Sequence, residues 1–223
     1  MKRSEINSAI RRAEKTLAQH SWAMPDFASW STDDHKAHAA RSEWLRDRQI
    51  GWDVTDFGSG EFARRGLVLF CTRNGIFDGQ GERPYAEKLL FVEVGQETPF
   101  HAHRMKLEDI IVRGGGTLCV EFTPEGAQTP LSGEPVGDII RIDGEEVPAY
   151  GRVHRLHAGQ GITVPRGMQH RFWGEDAPVF LAEVSQCNDD RNDNFFLEPI
   201  GRFSDVEEDE AAYRPLWNEG GGK

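Results

Sequence analysis

The stretch GQETPFHAHRMKLEDIIVRGG (residues 95–115) decides how this chain is read. On a β-strand, residues i and i+2 face the same way. His101 and His103 are therefore neighbours that can grip one ion. Glu108 follows five positions after His103. Strand parity alone would turn it to the opposite face, and a bulge or turn within residues 104–107 would bring it back. The expectation is three ligands for one metal, delivered by two adjacent strands. The same parity aims Lys106 into the cavity that Glu108 faces, where an ammonium can polarise an oxygen or donate a proton. A fourth ligand, His170, sits in GQGITVPRGMQHRFWG (159–174).

Working outward, short apolar or alternating runs recur between turn residues: LVLFCT (67–72), KLLFVEV (88–94), DIIVR (109–113), TLCVEF (117–122), DIIRID (138–143), RVHRL (152–156), GITVP (161–165) and VFLAEV (179–184). Glycines and prolines punctuate them and no long helix intervenes. That is the pattern of an all-β antiparallel sandwich or barrel. Ahead of it, Ile6, Ile10, Ala13 and Leu17 mark the apolar stripe of an amphipathic helix, with Ser4 as its expected N-cap. An aromatic stretch broken by Pro25 should wrap over the core, and residues 35–48 should be helical again. The tail, 188–223, is acidic and mixed, with room for a last helix.

The formal net charge of −11 disfavours a polyanionic partner such as DNA or RNA. The acidic run DVEEDE (205–210) reads as solvated surface or a helix start. Three widely spaced cysteines, Cys71, Cys119 and Cys187, fit reduced thiols in a cytoplasmic protein. No apolar run reaches membrane-span length, and the N-terminus has no apolar stretch of a secretory signal. The expected ligand is small and neutral, or bound through a metal.

Three neutral imidazoles and a carboxylate suit Mn, Fe, Co, Ni or Zn and leave coordination positions open, as catalysis requires. His154 and His157, three apart, point to opposite faces of a strand and are not expected as ligands; His20, His35 and His38 suit surface or packing roles. In EVSQCNDDRNDNFF (183–196), Glu183 and Ser185 share a strand face directed into the barrel, followed by Asp189, Asp190 and Asp193. A carboxylate opposite the metal would serve as general base. Phe100, Phe172 and Trp173 can wall the site or simply pack the core.

The spacing Gly95-x5-His101-x-His103-x4-Glu108-x6-Gly115 resembles the first cupin motif, and Gly159-x5-Pro165-x-Gly167-x2-His170 resembles the second. Gly174 stands where that second motif usually ends in Asn. The resemblance implies a cupin double-stranded β-helix, a jelly-roll barrel with the N-terminal helices wrapping it, as one domain over 1–223: helical extension 1–50, barrel 51–187, C-terminal segment 188–223. It implies His101, His103, Glu108 and His170 as the ligands.

With MKRSEIN at the start, HAHRMKLEDIIVRGGG in the middle and NDDRNDNFF towards the end, the chain resembles the bacterial D-lyxose isomerase family over nearly its whole length. That resemblance implies a manganese-dependent aldose–ketose isomerase acting on D-lyxose and D-xylulose, and possible activity on D-mannose and D-fructose. Co2+ or Zn2+ would serve as substitute ions, and the small cupin fold suggests a homodimer. Expected roles are Glu183 as base, Lys106 as the group that stabilises or protonates oxygen, and Glu108 as ligand with a share in proton transfer. Two readings compete: an Fe(II) cupin dioxygenase with the same ligands, and a non-catalytic sugar-binding cupin. A metal-assisted hydride shift competes with proton transfer as the mechanism.

Overall fold

Runs rich in β-branched and aromatic residues form the strands. They are β1 (Gly51–Thr55), β2 (Leu67–Arg73), β3 (Tyr85–Val92), β4 (Glu97–Ala102), β5 (Glu108–Thr123), β6 (Ile139–Ile142), β7 (Glu145–Pro148), β8 (Val153–Leu156), β9 (Gly161–Val164), β10 (Gln169–Gln186) and β11 (Phe195–Phe196). The computed structural model describes residues 1–219. Every pairing between these strands is antiparallel, and the strands join one continuous sheet. The all-β jelly-roll expectation holds.

The two runs read separately as 109–113 and 117–122 belong to one strand, β5, which passes straight through Gly114, Gly115 and Gly116. Likewise, 179–184 is the second half of β10, whose first half carries His170. The two long strands pair almost end to end, from Gln169 opposite Thr123 to Ser185 opposite Glu108. His170 stands opposite Phe122 at one end of this ribbon. Fully extended, the chain from Glu108 to Phe122 would span about 45 Å. Yet Glu108 Oε1 lies 3.1 Å from His170 Nε2. The ribbon has curled until its two ends meet, and that curl closes the barrel.

The glycines permit the bend. Gly115 has φ +91°, and a Cβ there would sit 2.0 Å from the Pro178 carbonyl oxygen; one on Gly116 would sit 2.3 Å from that of Ala177. Opposite them the register slips between Glu175 and Val179. Inside the curl lies an apolar cluster that includes Val112, Leu118, Val120, Leu156, Ile162 and Leu181.

The outer face of the sheet carries a second apolar cluster. The first helix, α1 (Arg3–Gln19), buries Ile6, Ile10, Ala13 and Leu17 against Phe70, Leu89, Phe91 and Phe180, as its periodicity predicts. Phe27, inside a short 3-10 turn after Pro25, and Trp30, just beyond it, join the same cluster. The expected helix over 35–48 is two helices, α2 (Thr32–Ala37) and α3 (Ala39–Asp47), broken at His38.

Three expectations need correction. Ser4 is not the N-cap of α1; Lys2 holds that position, and Ser4 lies inside the first turn. The Ser4 amide and hydroxyl both donate to Asp209, at 2.9 and 2.7 Å. The acidic run is therefore not merely solvated. It docks on the start of α1, where Arg3 pairs with Glu208 and Glu219 and the Asn7 amide donates to Glu210. Negative groups at a helix N-terminus complement its dipole. Finally, no helix forms in the tail among the described residues; it runs as turns plus β11, which pairs with β4.

Candidate metal centre

His101 sits near the end of β4 and His103 just beyond it, with their rings 5.1 Å apart. His170 lies one residue into β10, directly opposite His101 in the ladder. Glu108 is the first residue of β5. The strands of the first three expected ligands are not neighbours in the sheet: β10 pairs with both β4 and β5 and stands between them. Glu108 regains the histidines' side because residues 103–107 leave the ladder altogether, so strand parity does not carry across them. All four side chains are buried, and their donor atoms lie within 4.8 Å of one another. Donors placed about 2.1 Å from one ion span about 4.2 Å, so a small contraction would suffice to close the set.

Each imidazole is fixed by its other nitrogen. Nδ1 of His101 faces the Pro99 carbonyl at 2.8 Å, that of His103 the Asp193 carbonyl at 2.5 Å, and that of His170 the Met168 carbonyl at 3.1 Å. A carbonyl only accepts, so Nδ1 carries the proton and Nε2 is left as a lone pair turned inward. Burial pushes His101 down to about 3, reinforced by His170 beside it, and pushes His103 well below its ordinary value. Both are neutral, the form a metal needs.

His170 Nε2 makes no hydrogen bond although Glu108 Oε1 is 3.1 Å away. A lone pair facing a carboxylate oxygen in a buried site is unfavourable unless a cation lies between them. The residues present therefore fit a divalent ion, and this four-residue group can hold one.

Lys106 reaches the same place. Its Nζ is 2.7 Å from Glu108 Oε2 and 2.7 Å from Glu183 Oε1. Burial alone would push this ammonium down, but the two carboxylates outweigh that and hold it above its ordinary value. Burial likewise pushes Glu108 up, and the Lys106 ammonium pulls it well below the usual carboxylate range. Ser185 donates to Glu183 Oε1 at 3.2 Å. No described hydrogen bond ends at Glu183 Oε2, so that oxygen is available to a ligand.

Behind these groups lies a chain of buried charge, in which sequence reasoning singled out Asp190 but missed Lys88, Asp53 and Arg202. Lys88 Nζ donates to Asn188 Oδ1 at 2.5 Å and stands 3.6 Å from Glu183 and 3.7 Å from Asp190. Arg202 pairs with Asp53 at 2.7 Å and with Asp190 at 3.2 Å. Burial pushes Asp190 up, and Arg202 and Lys88 overcome it to hold the carboxyl far below its ordinary value. The signal that could have found them was a lysine opening an otherwise apolar strand, KLLFV, and an aspartate inside WDVT.

The remaining candidates separate. Of the three aspartates, Asp190 lines the cavity, Asp193 turns to the backbone of residues 104–106, and Asp189 faces Gln49. Phe172 lines the cavity, whereas Phe100 and Trp173 flank the Arg171 guanidinium outside it. His154 faces the Ala149 carbonyl; His20 packs on Phe180; His35 and His38 pack on Trp30. Cys71, Cys119 and Cys187 are buried free thiols. A larger cavity of about 670 Å³ under α2 and α3, walled by Phe27, Trp30, Trp52 and Leu216, contains none of the metal-ligating group. Among the described residues, no helix is long and apolar enough to cross a membrane.

The sequence profile of D-lyxose isomerases matches residues 1–220. A D-lyxose/D-mannose isomerase of Escherichia coli O157:H7 is 40% identical, covering 98% of each chain. One from Serratia proteamaculans is 39% identical, over 97% of this chain and 95% of that one. Among solved structures, the L-ribose isomerase of Cellulomonas parahominis with L-psicose superposes with a TM-score of 0.64 at 18% identity, over 93% of this chain and 98% of that one. That level of likeness speaks to the fold.

Proposed function

This chain belongs to the D-lyxose isomerase family and is an aldose–ketose isomerase; on that premise we propose that it interconverts D-lyxose and D-xylulose, with D-mannose and D-fructose as a second pair, using Mn2+. The observation that carries the reading is the Lys106 ammonium, 2.7 Å from both Glu108 and Glu183 in the cavity that His101 and His103 edge. An isomerase must move one proton between C1 and C2 and another between O1 and O2. A buried carboxylate and a buried ammonium in contact are a matched pair for those two tasks.

His101, His103, Glu108 and His170 would hold the ion, which when bound supplies Lewis acidity that makes the C2 hydrogen easier to remove. Glu183 takes that proton on Oε2 and returns it at C1, while Ser185 and Lys106 hold its Oε1 in place. Lys106 faces the sugar oxygens and hands a proton between them. Glu108 links the two halves of the site: Oε1 faces His170 and Oε2 faces Lys106. Lys88 and Asp190 back Glu183 from the other side, fixing the field in which it works.

The cavity holds about 30 Å³, room for a water or two. A monosaccharide is larger, so its entry requires a wall to move. Asn194, Phe196 and Arg202, from the C-terminal segment, make the wall least tied into the barrel ladder. Assembly as a homodimer belongs to the same proposal, and sedimentation of the purified protein tests it.

Isomerisation in deuterated water tests the chemistry. Proton transfer through Glu183 places solvent deuterium in the product, and Glu183→Gln lowers kcat by about 10²- to 10⁴-fold with the bound metal retained. A product wholly free of deuterium, or an unimpaired E183Q enzyme, would count against this mechanism.

A further inference from the structure

The residues that carry His103 and Lys106 to the centre have no ladder of their own. Residues 104–107 lie between β4 and β5, and every one of their four backbone N–H groups ends on a side chain. Arg104 and Met105 donate to Asp193 Oδ1 at 2.8 and 2.9 Å. Lys106 donates to Asp193 Oδ2 at 3.2 Å, and Leu107 donates to Gln186 Oε1 at 2.8 Å. The main-chain oxygen of the same Asp193 accepts from His103 Nδ1. One buried residue thus takes bonds from four consecutive positions, 103–106, although it lies about 90 residues away in the chain.

We propose that Asp193 is a positioning residue: it sets the conformation of the loop 103–106 and thereby places both the His103 ring and the Lys106 ammonium. This rests on the reading that His101, His103, Glu108 and His170 hold an ion. Asp193 does not line the cavity, and three N–H groups occupy its carboxylate, so it is not a proton carrier. A carboxylate is the residue type the site calls for, because it accepts at both oxygens and donates at neither. Alanine would strand three N–H groups, that of Lys106 buried and those of Arg104 and Met105 half-buried. Asparagine would keep the acceptor that serves Arg104 and Met105 and turn an NH2 group towards the Lys106 N–H.

The two variants therefore separate the two tasks. Metal affinity, read by chelator competition with Mn2+ alone, should weaken about 10- to 100-fold in Asp193→Ala and by less in Asp193→Asn. With metal saturating, Asp193→Asn should lose kcat more than it raises KM, because Lys106 is the group it misplaces. The visible band of the Co2+-loaded protein should shift in Asp193→Ala, a change that mere loss of stability would not produce. If Asp193→Ala fails to fold, Asp193→Asn carries the affinity and kcat tests alone. Metal affinity and kcat both within twofold of wild type in a folded variant would overturn the proposal. Wild-type protein that binds no metal would overturn the metal reading and this inference with it, whereas metal binding and kcat that are both equal in wild type and folded variants would overturn the inference only.

Discussion

The middle and the ends of the β5–β10 ribbon are built on opposite principles. Its middle bends through Gly114, Gly115 and Gly116, and Leu118, Val120 and Leu181 fill the curl. Its ends carry Glu108, His170 and Glu183 and meet across a few ångströms of buried charge. The middle gains free energy by removing apolar surface from water. The ends spend some of it, since buried ionisable groups cost several kcal/mol each before their partners offset that. Damage to the middle should therefore appear as lost stability, and damage to the ends as lost metal and turnover.

The largest expected effect is at the ends. Glu108→Gln removes a proposed metal ligand and one of the two partners of Lys106 together. Turnover should fall at least about 10³-fold, with metal content measured by mass spectrometry falling alongside it. Retained metal with lost turnover would show that Glu108 is not needed to hold the ion.

Asp190→Asn comes next. It leaves Arg202 and Lys88 short of a buried partner, at a cost of about 3–5 kcal/mol. Because the folded carboxyl is held below its unfolded value, its contribution is present above about pH 3.9 and is lost as pH falls through the folded pKa. The stability gap between wild type and variant should be constant from pH 8 to about pH 5 and narrow below that. A gap that instead opens on acidification contradicts the ion-pair account.

In the middle, Gly115→Ala forces a positive φ and a clash with the Pro178 carbonyl. Thermal unfolding should report about 1–3 kcal/mol lost, while the metal affinity of the folded fraction stays near wild type. Ile162→Val, inside the curl, should cost only about 0.5–1.5 kcal/mol and leave turnover unchanged. An equal loss of metal from either variant would erase the distinction between middle and ends.

What was legible in the sequence was local. The spacing of His101 and His103, the alternation of the strands and the stripe on α1 all lie within a few residues of themselves. Glu108 was placed by the motif against strand parity, because the parity rule fails once residues 103–107 leave the ladder. The triple glycine hid the continuity of β5: it interrupts the apolar pattern but not the strand. Lys88, Asp53 and Arg202 escaped notice because the pairs Lys88–Asn188 and Asp53–Arg202 join residues about 100 and 150 positions apart. The tail was read as room for a helix because its acidic run resembles a helix start; its true partner is the beginning of α1.

The most direct measurement is ketose formation by metal-stripped protein given D-lyxose, before and after Mn2+ is added. The account predicts no D-xylulose in the presence of chelator and steady formation once the ion is restored. Equal turnover in chelator, or no ketose from any aldose by protein shown to carry bound Mn2+, would contradict it.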